Sequence, residues 1–325
     1  MAEWVERKIS DIGTVVGGAT PSTKKPENYE DGKIAWITPK DLSTFSGRYI
    51  ERGERNITEI GLKSCSTQLL PPNTILFSSR APIGYVAIAA NEVCTNQGFK
   101  SVIPNENTDP LFLFYLLKYN KDKIEGMGSG TTFKEVSGNT MKNIVVNVPT
   151  DKKVQEKIAA ILGSIDDKIE ENEQINNNLE QQAQALFKSW FVEFEPFNGT
   201  MPSDWEIVPL EKIADFQNGY AFKSKELLNE PSPDCYQVFK QGHIARGGGF
   251  IPDGTKSWYP KSIASKLEKF VLKKGDILMA MTDMKDNVAI LGNTAVMPLD
   301  NEYIVNQRVG HLRANGYKGV TYPFI

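Results

Sequence analysis

The strongest constraint on the fold is the stretch of residues 151–195, in which apolar residues recur at steps of three and four. This spacing places them on one face of an α-helix and leaves the acidic residues on the opposite face. Gly163 lies inside the stretch and Pro196 follows it, so it predicts one helix that at ~1.5 Å per residue reaches roughly 60 Å. An apolar stripe of this length needs a partner helix, as in a coiled coil. The stripe comprises Val154, Ile158, Ile161, Ile165, Ile169, Ile175, Leu179, Ala183, Leu186 and Trp190.

An ordinary helix packed on a single core is the alternative interpretation of this stretch. Its length argues against that alternative, because helices of globular domains are usually shorter. Polar residues also surround Ile175 near the middle, from Glu173 to Asn178. We therefore interpret the stretch as a spacer.

Length and composition favour two soluble domains and a connecting element. The chain has 325 residues, of which 40% are apolar and 24% charged, as in globular proteins. Cys65, Cys94 and Cys235 are odd in number and far apart, so they indicate neither a disulfide framework nor a CxxC metal site, and a reducing cytoplasm is expected. The first twenty residues lack a signal-peptide core, and the longest apolar run, Leu111 to Leu117, is too short to span a bilayer. We expect a cytoplasmic protein without membrane insertion.

The acidity of the chain belongs to the predicted helix. Lys and Arg number 17 against 16 Asp and Glu in residues 1–150, 5 against 10 in residues 151–195, and 15 against 14 in residues 196–325. The near-neutral flanking regions do not exclude binding to nucleic acid, but they give it no positive support, since a strongly basic domain is the usual footprint.

An internal repeat flanks the helix, with an offset that grows from 201 to 210 residues. Similarity that keeps its order at a long period indicates two diverged copies of one domain. Residues 4–12 match 205–213, residues 70–77 match 272–279, residues 83–84 match 291–292, and residues 95–98 match 305–308.

The sequence pattern of each copy predicts an α+β module. Short β-rich runs at residues 33–38, 74–78, 85–90 and 99–103 accompany one amphipathic helix, Pro110 to Asn120. The fold class is thus α+β, with two similar α/β-type domains joined by a long coiled-coil-forming helix. The predicted domains are residues 1–150, the spacer helix 151–195, and residues 196–325. The second copy is incomplete, because residues 322–325 align with 109–112 and no second long helix follows.

Motifs for catalysis do not hold up in this sequence. His243 and His311 are the only histidines, too few for a His-rich metal site and without a convincing nucleophile. Pro71–Pro72 lacks the neighbours of an amino-methyltransferase motif, and Pro252–Asp253 lacks the second half of a nuclease motif. Gly126, Gly128 and Gly130 precede no strong helix start, so a flexible loop is favoured over a phosphate cradle. We predict no catalytic residue and no metal site.

Polar segments at strand ends and in loops contain the residue types that contact DNA. Arg pairs with guanine, and Asn and Gln pair with adenine, while Ser, Thr and Lys bind phosphates. A turn that bonds its own backbone is the alternative for each Asn–Gln pair, and a shared turn would also recur in both copies. The candidates are Thr38, Lys40, Arg80, Asn96, Gln97, Thr131, Thr132 and Lys134 in the first copy, and Lys240, His243, Arg246, Thr282, Lys285, Asn306, Gln307 and Arg308 in the second.

Five motifs carry a resemblance to a known family. They are Trp36–Asp41, Arg80–Gly84, Thr95–Phe99, Gly130–Lys134 and, most specifically, Leu186–Phe194 at the end of the helix. With the two repeats around that helix, the whole chain resembles the DNA-specificity subunit of type I restriction-modification enzymes.

The resemblance implies a non-catalytic subunit. In that family each recognition domain recognises one half of a bipartite double-stranded DNA site, and two long helices pair antiparallel and bind the modification (methyltransferase) subunits. A restriction subunit joins for cleavage, and S-adenosylmethionine, ATP and Mg are expected on the partner subunits, with no cofactor on this chain. The chain departs from the family pattern in its incomplete second copy. Three explanations are open: the chain is a fragment, a naturally shortened form, or a subunit that completes itself by pairing with another copy. The helix residues implied in subunit binding or self-association are Ile158, Ile161, Ile165, Ile169, Ile175, Leu179, Leu186 and Trp190.

Two other function classes remain open at this point. A helical scaffold that binds only proteins accounts for the rod and the domains, but predicts no salt-sensitive affinity for duplex DNA. A self-sufficient nuclease or methyltransferase is disfavoured by the missing motifs.

Overall fold

The computed structural model describes residues 3–80, 82–130, 134–283 and 289–316. The chain divides into two compact units, Met1–Glu193 and Phe194–Ile325. The boundary lies two residues before the predicted end of the spacer at residue 195. The long helix belongs to the first unit, because its first turns pack there, so it is not a separate region.

The first unit contains ten strands and seven α-helices among its described residues. The strands are β1 (Trp4–Lys8), β2 (Gly13–Gly17), β3 (Ile34–Ile37), β4 (Tyr49–Ile50), β5 (Arg55–Ile57), β6 (Ile75–Ser79), β7 (Ile83–Ala89), β8 (Cys94–Thr95), β9 (Lys100–Pro104) and β10 (Val145–Pro149). The helices are α1 (Ile9–Ile12), α2 (Pro39–Ser43), α3 (Glu59–Lys63), α4 (Pro110–Tyr119), α5 (Lys121–Gly126), α6 (Gly138–Asn143) and α7 (Lys152–Phe191).

Three sheets organise this unit. The largest has the order β2-β9-β6-β7-β4, antiparallel except for the parallel pair β4 and β7. A second has the order β5-β3-β8, with β3 and β8 parallel, and β1 pairs with β10 in the third. The four predicted strands correspond to β3, β6, β7 and β9 to within two residues, which confirms them.

The five-stranded sheet buries both of its faces. Along β6, Ile75 and Phe77 pack into one apolar cluster with α4, whereas Leu76 between them packs into the other cluster. Successive side chains of a strand point to opposite faces, so a continuous apolar run is what a doubly covered strand requires. This central strand therefore anchors the loops at its end on a rigid scaffold.

Local signals define the ends of α4. Asp109 accepts a hydrogen bond from the amide of Phe112 over 2.7 Å, and Pro110 occupies the first helical turn. An Asp N-cap followed by Pro is a strong helix start. The prediction of a helix from Pro110 to Asn120 is confirmed, with Asn120 as the C-cap.

Helix α7 spans 40 residues and is capped by Asp151, which accepts a hydrogen bond from the amide of Lys153. The prediction of one long helix is confirmed. Its predicted end at residue 195 lies four residues too late, because Phe194 adopts a left-handed conformation (φ 52°) that no helix continues. Gln155, Ala159 and Gly163 are buried, so the first three turns pack on the first unit.

The described part of the second unit consists of strands and single 3-10 turns. The strands are β11 (Ala214–Asn218), β12 (Cys235–Phe239), β13 (Trp258–Pro260), β14 (Ile277–Ala280), β15 (Thr294–Val296), β16 (Tyr303–Val305) and β17 (Val309–Ala314). The 3-10 turns are Glu195–Phe197, Leu210–Lys212, Ser224–Glu226, Gln241–His243, Lys261–Ile263 and Glu268–Phe270.

The sheets of the second unit repeat those of the first. The order β11-β17-β14-β15 corresponds to β2-β9-β6-β7, and β13-β12-β16 corresponds to β5-β3-β8. The directions also agree, since β12 is antiparallel to β13 and parallel to β16. The equivalent sheets confirm the two copies of one domain predicted from the repeat, and the described part of the second copy contains 3-10 turns in place of α-helices.

Candidate nucleic-acid interface

Four predicted polar segments of the first unit lie together where strands β3, β6 and β8 end. The amide of Ser79 donates to the carbonyl of Gly98 over 2.7 Å, and the amide of Val136 donates to the carbonyl of Ser79 over 3.0 Å. The amide of Asn96 donates to the carbonyl of Ile37 over 3.0 Å. Backbone hydrogen bonds thus join these segments into one surface, the first polar face. It comprises residues 38–40, 79–80, 96–98, 100 and 134–136.

A cluster of charged side chains lies on the first polar face. Glu135 is 3.8 Å from the Nη1 atom of Arg80 and 3.2 Å from the Nζ atom of Lys100. Lys100 is also 3.5 Å from the hydroxyl of Ser79. One partly exposed carboxylate thus holds two cations that can contact phosphates, and an arginine can also bind guanine bidentately.

Thr38 and Lys40 occupy the first turn of α2. The amide and hydroxyl of Thr38 both donate to Asp41 Oδ2, over 2.7 and 2.6 Å, so the Asp41 carboxylate caps the start of α2 and takes up the hydroxyl hydrogen of Thr38. Lys40 is exposed, and its hydrogen bond with the exposed Glu54 at 2.8 Å raises its pKa. Exposed ion pairs are weak, so Lys40 can exchange this partner for a phosphate.

The two Asn–Gln pairs form the same turn in both units. Asn96 Oδ1 accepts a hydrogen bond from the amide of Gly98 over 2.8 Å, and Asn306 Oδ1 accepts one from the amide of Arg308 over 3.3 Å. The turn named above as the alternative is therefore present in both. The following side chains, Gln97 and Gln307, are exposed, which makes them the better candidates for base contact.

The second unit brings its own polar segments together. The Nε2 atom of Gln241 donates to the hydroxyl of Thr282 over 2.9 Å, and the amide of Met281 donates to the carbonyl of Arg308 over 3.1 Å. The backbone amide of Asn306 donates to the carbonyl of Phe239, as that of Asn96 does to the carbonyl of Ile37. We call this surface the second polar face. It comprises residues 240–241, 282 and 306–308.

His243 is a correction to the predicted set. It is fully buried, and its Nδ1 atom accepts a hydrogen bond from the amide of Lys240 over 3.1 Å. Burial lowers the pKa of His243 and so disfavours the charged imidazolium. His243 therefore caps a turn, as Asp41 does in the first unit, and does not lie on a surface that DNA could reach.

The remaining predicted residues are placed as follows. Arg246 is exposed in the turn between the paired residues Ile244 and Phe250. The glycines at 247–249 all have positive φ there, a conformation that L side chains rarely adopt. Lys134 is exposed, and Lys240 is half-buried. Thr131, Thr132 and Lys285 lie outside the described residues.

Three residues at the first polar face were not predicted from the sequence. Lys100 and Glu135 join this face, and Thr20 hydrogen-bonds with Gln97. Their contacts connect residues 35 and 77 positions apart, and local periodicity carries no such information. A glycine two residues before Thr20 was the one signal in the sequence. An added Cβ atom at Gly18 would lie 2.1 Å from the carbonyl oxygen of Thr95, so only glycine lets the backbone at residue 18 approach Thr95 this closely.

The apolar stripe of α7 is exposed beyond its first turns. Ile161, Ile165, Ile169, Ile175, Leu179, Leu186 and Trp190 are each 45–64% exposed. Ile158 is a correction, because it is half-buried against the core of the first unit. In the described part of the chain, no three metal-ligating side chains cluster, and no helix has both the length and the apolar character to cross a membrane.

Comparison with known protein families shows to which family the chain belongs. Residues 1–181 and 202–325 match the family described as the type I restriction modification DNA specificity domain. The chain belongs to this family. The two matched regions contain the repeated units, so the specificity-domain family accounts for the duplication and for the helix at the end of the first region.

Individual specificity subunits are similar over most of the chain. The type I restriction enzyme MjaIX specificity subunit of Methanocaldococcus jannaschii is 43% identical over 258 residues, 75% of this chain and 59% of that subunit. The HindI specificity subunit of Haemophilus influenzae is 29% identical over 97% of this chain and 70% of that subunit. The chain thus spans about three fifths to seven tenths of the length of these relatives.

A crystal structure of a type I specificity subunit from Mycoplasma genitalium has the same fold. It superposes with a TM-score of 0.57 and 18% sequence identity, covering 97% of this chain and 73% of that one. At this identity the likeness concerns the fold alone.

Proposed function

We propose that the chain is the non-catalytic DNA-specificity subunit of a type I restriction-modification system. In this proposal each unit recognises one half of a bipartite duplex site through its polar face, and the exposed stripe of α7 binds the modification subunits or a second copy of the chain. The observation that carries it is that two copies of one domain present equivalent polar faces. Methyl transfer and cleavage belong to the modification and restriction subunits, with S-adenosylmethionine, ATP and Mg bound there, in the cytoplasm.

The charge of the faces supports this role. Arg80, Lys100 and Lys134 provide cations on the first face, and Lys240 and Arg308 provide them on the second. Phosphate contacts position a protein on DNA, whereas exposed groups such as Gln97 and Gln307 can discriminate bases. A near-neutral unit can therefore bind DNA through local cations even though its overall charge is small.

Salt dependence distinguishes this proposal from a protein-only scaffold. We expect the complex of the chain with its modification subunit to bind mixed-sequence genomic duplex fragments with a log affinity that falls linearly with log salt concentration, because each phosphate contact releases counterions. Fluorescence anisotropy at several salt concentrations measures the slope. Replacing Lys134 by Ala is expected to reduce that slope by about one.

Replacing Lys168 by Ala, an exposed residue on α7 that pairs with Glu171, is the matched control and is expected to leave the slope unchanged. A complex without salt-sensitive affinity for duplex DNA would contradict the proposed function and favour the scaffold.

A further inference from the structure

Arg48 connects the body of the first unit to helix α7. It lies in the loop between α2 and β4, and its side chain is only 11% exposed. The guanidinium donates to the carbonyl of Gly163 over 3.3 Å and to Glu170 over 3.2 Å, and it forms an ion pair with Asp167. One buried cation thus contacts two successive turns of the helix.

A second contact holds the same part of the helix from another element. The hydroxyl of Tyr115 in α4 donates to Asp166 over 2.8 Å. Gly163 permits the close packing, since an added Cβ atom would lie 3.3 Å from Leu111 and 3.4 Å from the Arg48 guanidinium. The helix is therefore fixed by a loop and by a neighbouring helix within residues 163–170.

These contacts lie where the helix leaves the apolar core. Gly163 is its last buried residue, and the 28 residues from there to Phe191 extend ~42 Å. A tilt of about 5° at the contact would move the far end by about 4 Å, which is close to the rise of one base pair of duplex DNA. Small changes at the contact are thus large at the far end.

The positive charge of Arg48 holds helix α7 in this direction. Burial lowers the pKa of its guanidinium, but hydrogen bonds with Asp167 and Glu170 outweigh burial and raise the pKa above its ordinary value, so the group stays charged. Without it, the carboxylates of Asp166, Asp167 and Glu170 would repel one another beside the body of the unit.

We propose that Arg48 is a positioning residue that fixes the direction in which α7 leaves the first unit, and thereby the number of base pairs between the two half-sites. The part of this inference that concerns DNA rests on the proposed function. The part that concerns the helix direction does not.

The direct test is a distance measurement in the full chain. Spin labels introduced through an unnatural amino acid at Lys63 in α3 and Gln181 in α7 report the helix direction by pulsed electron resonance. We expect a single narrow distance distribution in the parent chain, and a distribution broadened or shifted by about 4 Å or more in Arg48→Ala, with partial recovery in Arg48→Lys. A distribution unchanged by Arg48→Ala would overturn the proposal.

Two further variants serve as an independent disruption of the same ion pairs and as a matched control. Asp167→Asn with Glu170→Gln removes the same ion pairs from the helix side and is expected to reproduce the broadening even if Arg48→Ala does not fold. Lys168→Ala removes an exposed ion pair of the same stretch at 3.3 Å, and is expected to change nothing. Equal broadening in Lys168→Ala would also overturn the specific role of Arg48.

Mapping of methylated sites by the complex with its modification subunit tests the consequence for DNA. For Arg48→Ala we expect unchanged half-site sequences and spacers that include neighbouring lengths, one base pair shorter or longer. A unique spacer in a variant with an altered distance distribution would overturn the link to DNA spacing. If the parent chain directs no methylation, the proposed function fails, whereas the distance measurement still decides the role of Arg48 in the helix direction.

Discussion

Replacing Ile165 and Leu179 by Asp is expected to abolish self-association of the chain and its binding to the modification subunit. The two side chains are 53% and 57% exposed in the single chain and lie on the exposed part of the apolar stripe of α7. Burying each in an interface contributes ~2 kcal/mol, so losing both weakens association by roughly a thousandfold, and buried carboxylates add a further penalty. Sedimentation velocity and pull-down with the modification subunit measure the effect.

The folded units themselves are expected to tolerate this change, because both positions are exposed in the chain. The matched control is Gln181→Asp, an exposed position beside Leu179 and off the stripe, for which association is expected to persist. Unchanged sedimentation and pull-down of the Ile165→Asp, Leu179→Asp variant would show that the stripe is not the binding surface.

Replacing Asp276 by Asn is expected to destabilise the second unit by ~3 kcal/mol. Asp276 is 2% exposed and accepts hydrogen bonds from Arg313 over 2.6 and 2.7 Å and from the amide of Lys273 over 2.7 Å. The buried His311 lies 2.9 Å away. Removing one member of a buried charged network leaves its partners uncompensated, which is strongly destabilising.

Hydrogen exchange of strands β14 and β17 measures this effect. Glu230→Gln, an exposed position of the second unit, is the control and is expected to change stability by less than ~0.5 kcal/mol. Equal protection of β14 and β17 in the Asp276→Asn variant and the parent chain would contradict the structural role of this network.

The same network predicts a pH dependence. Burial raises the pKa of Asp276, but hydrogen bonds from Arg313, His311 and Lys273 outweigh it and lower the pKa from 3.8 to about 2. Because the folded-state pKa lies below the unfolded one, the stabilisation is present above pH 3.8 and is lost as the pH falls toward 2. The expected loss is ~2 kcal/mol, and the Asp276→Asn variant is expected to lack this component.

Local patterns in the sequence were sufficient for the repeat and for two of the helices. The regular apolar spacing predicts α7 and α4, because the spacing is set by the helical turn itself. The duplication followed from the order of the matched segments alone.

The contacts that assemble the sites could not be predicted in this way. Arg48 meets α7 more than a hundred residues along the chain, and Glu135 meets Lys100 only because residues 134–136 lie against the end of β6. His243 was predicted as a DNA contact because it lies in a polar segment of the second copy, but tertiary packing buries it. Periodicity did not reveal that Ile158 faces the first unit, since the stripe continues unchanged through it.

The measurement that tests the central claim most directly is genome-wide mapping of methylated sites for the chain expressed with its modification subunit. The predicted result is a bipartite motif. Replacing Arg80 and Gln97 by Ala is then expected to relax only one half of the motif, at ~1 to 3 kcal/mol per lost base contact, and replacing Gln307 and Arg308 by Ala only the other half. A continuous motif, or equal relaxation of both halves by either variant, would contradict the assignment of one unit to each half-site.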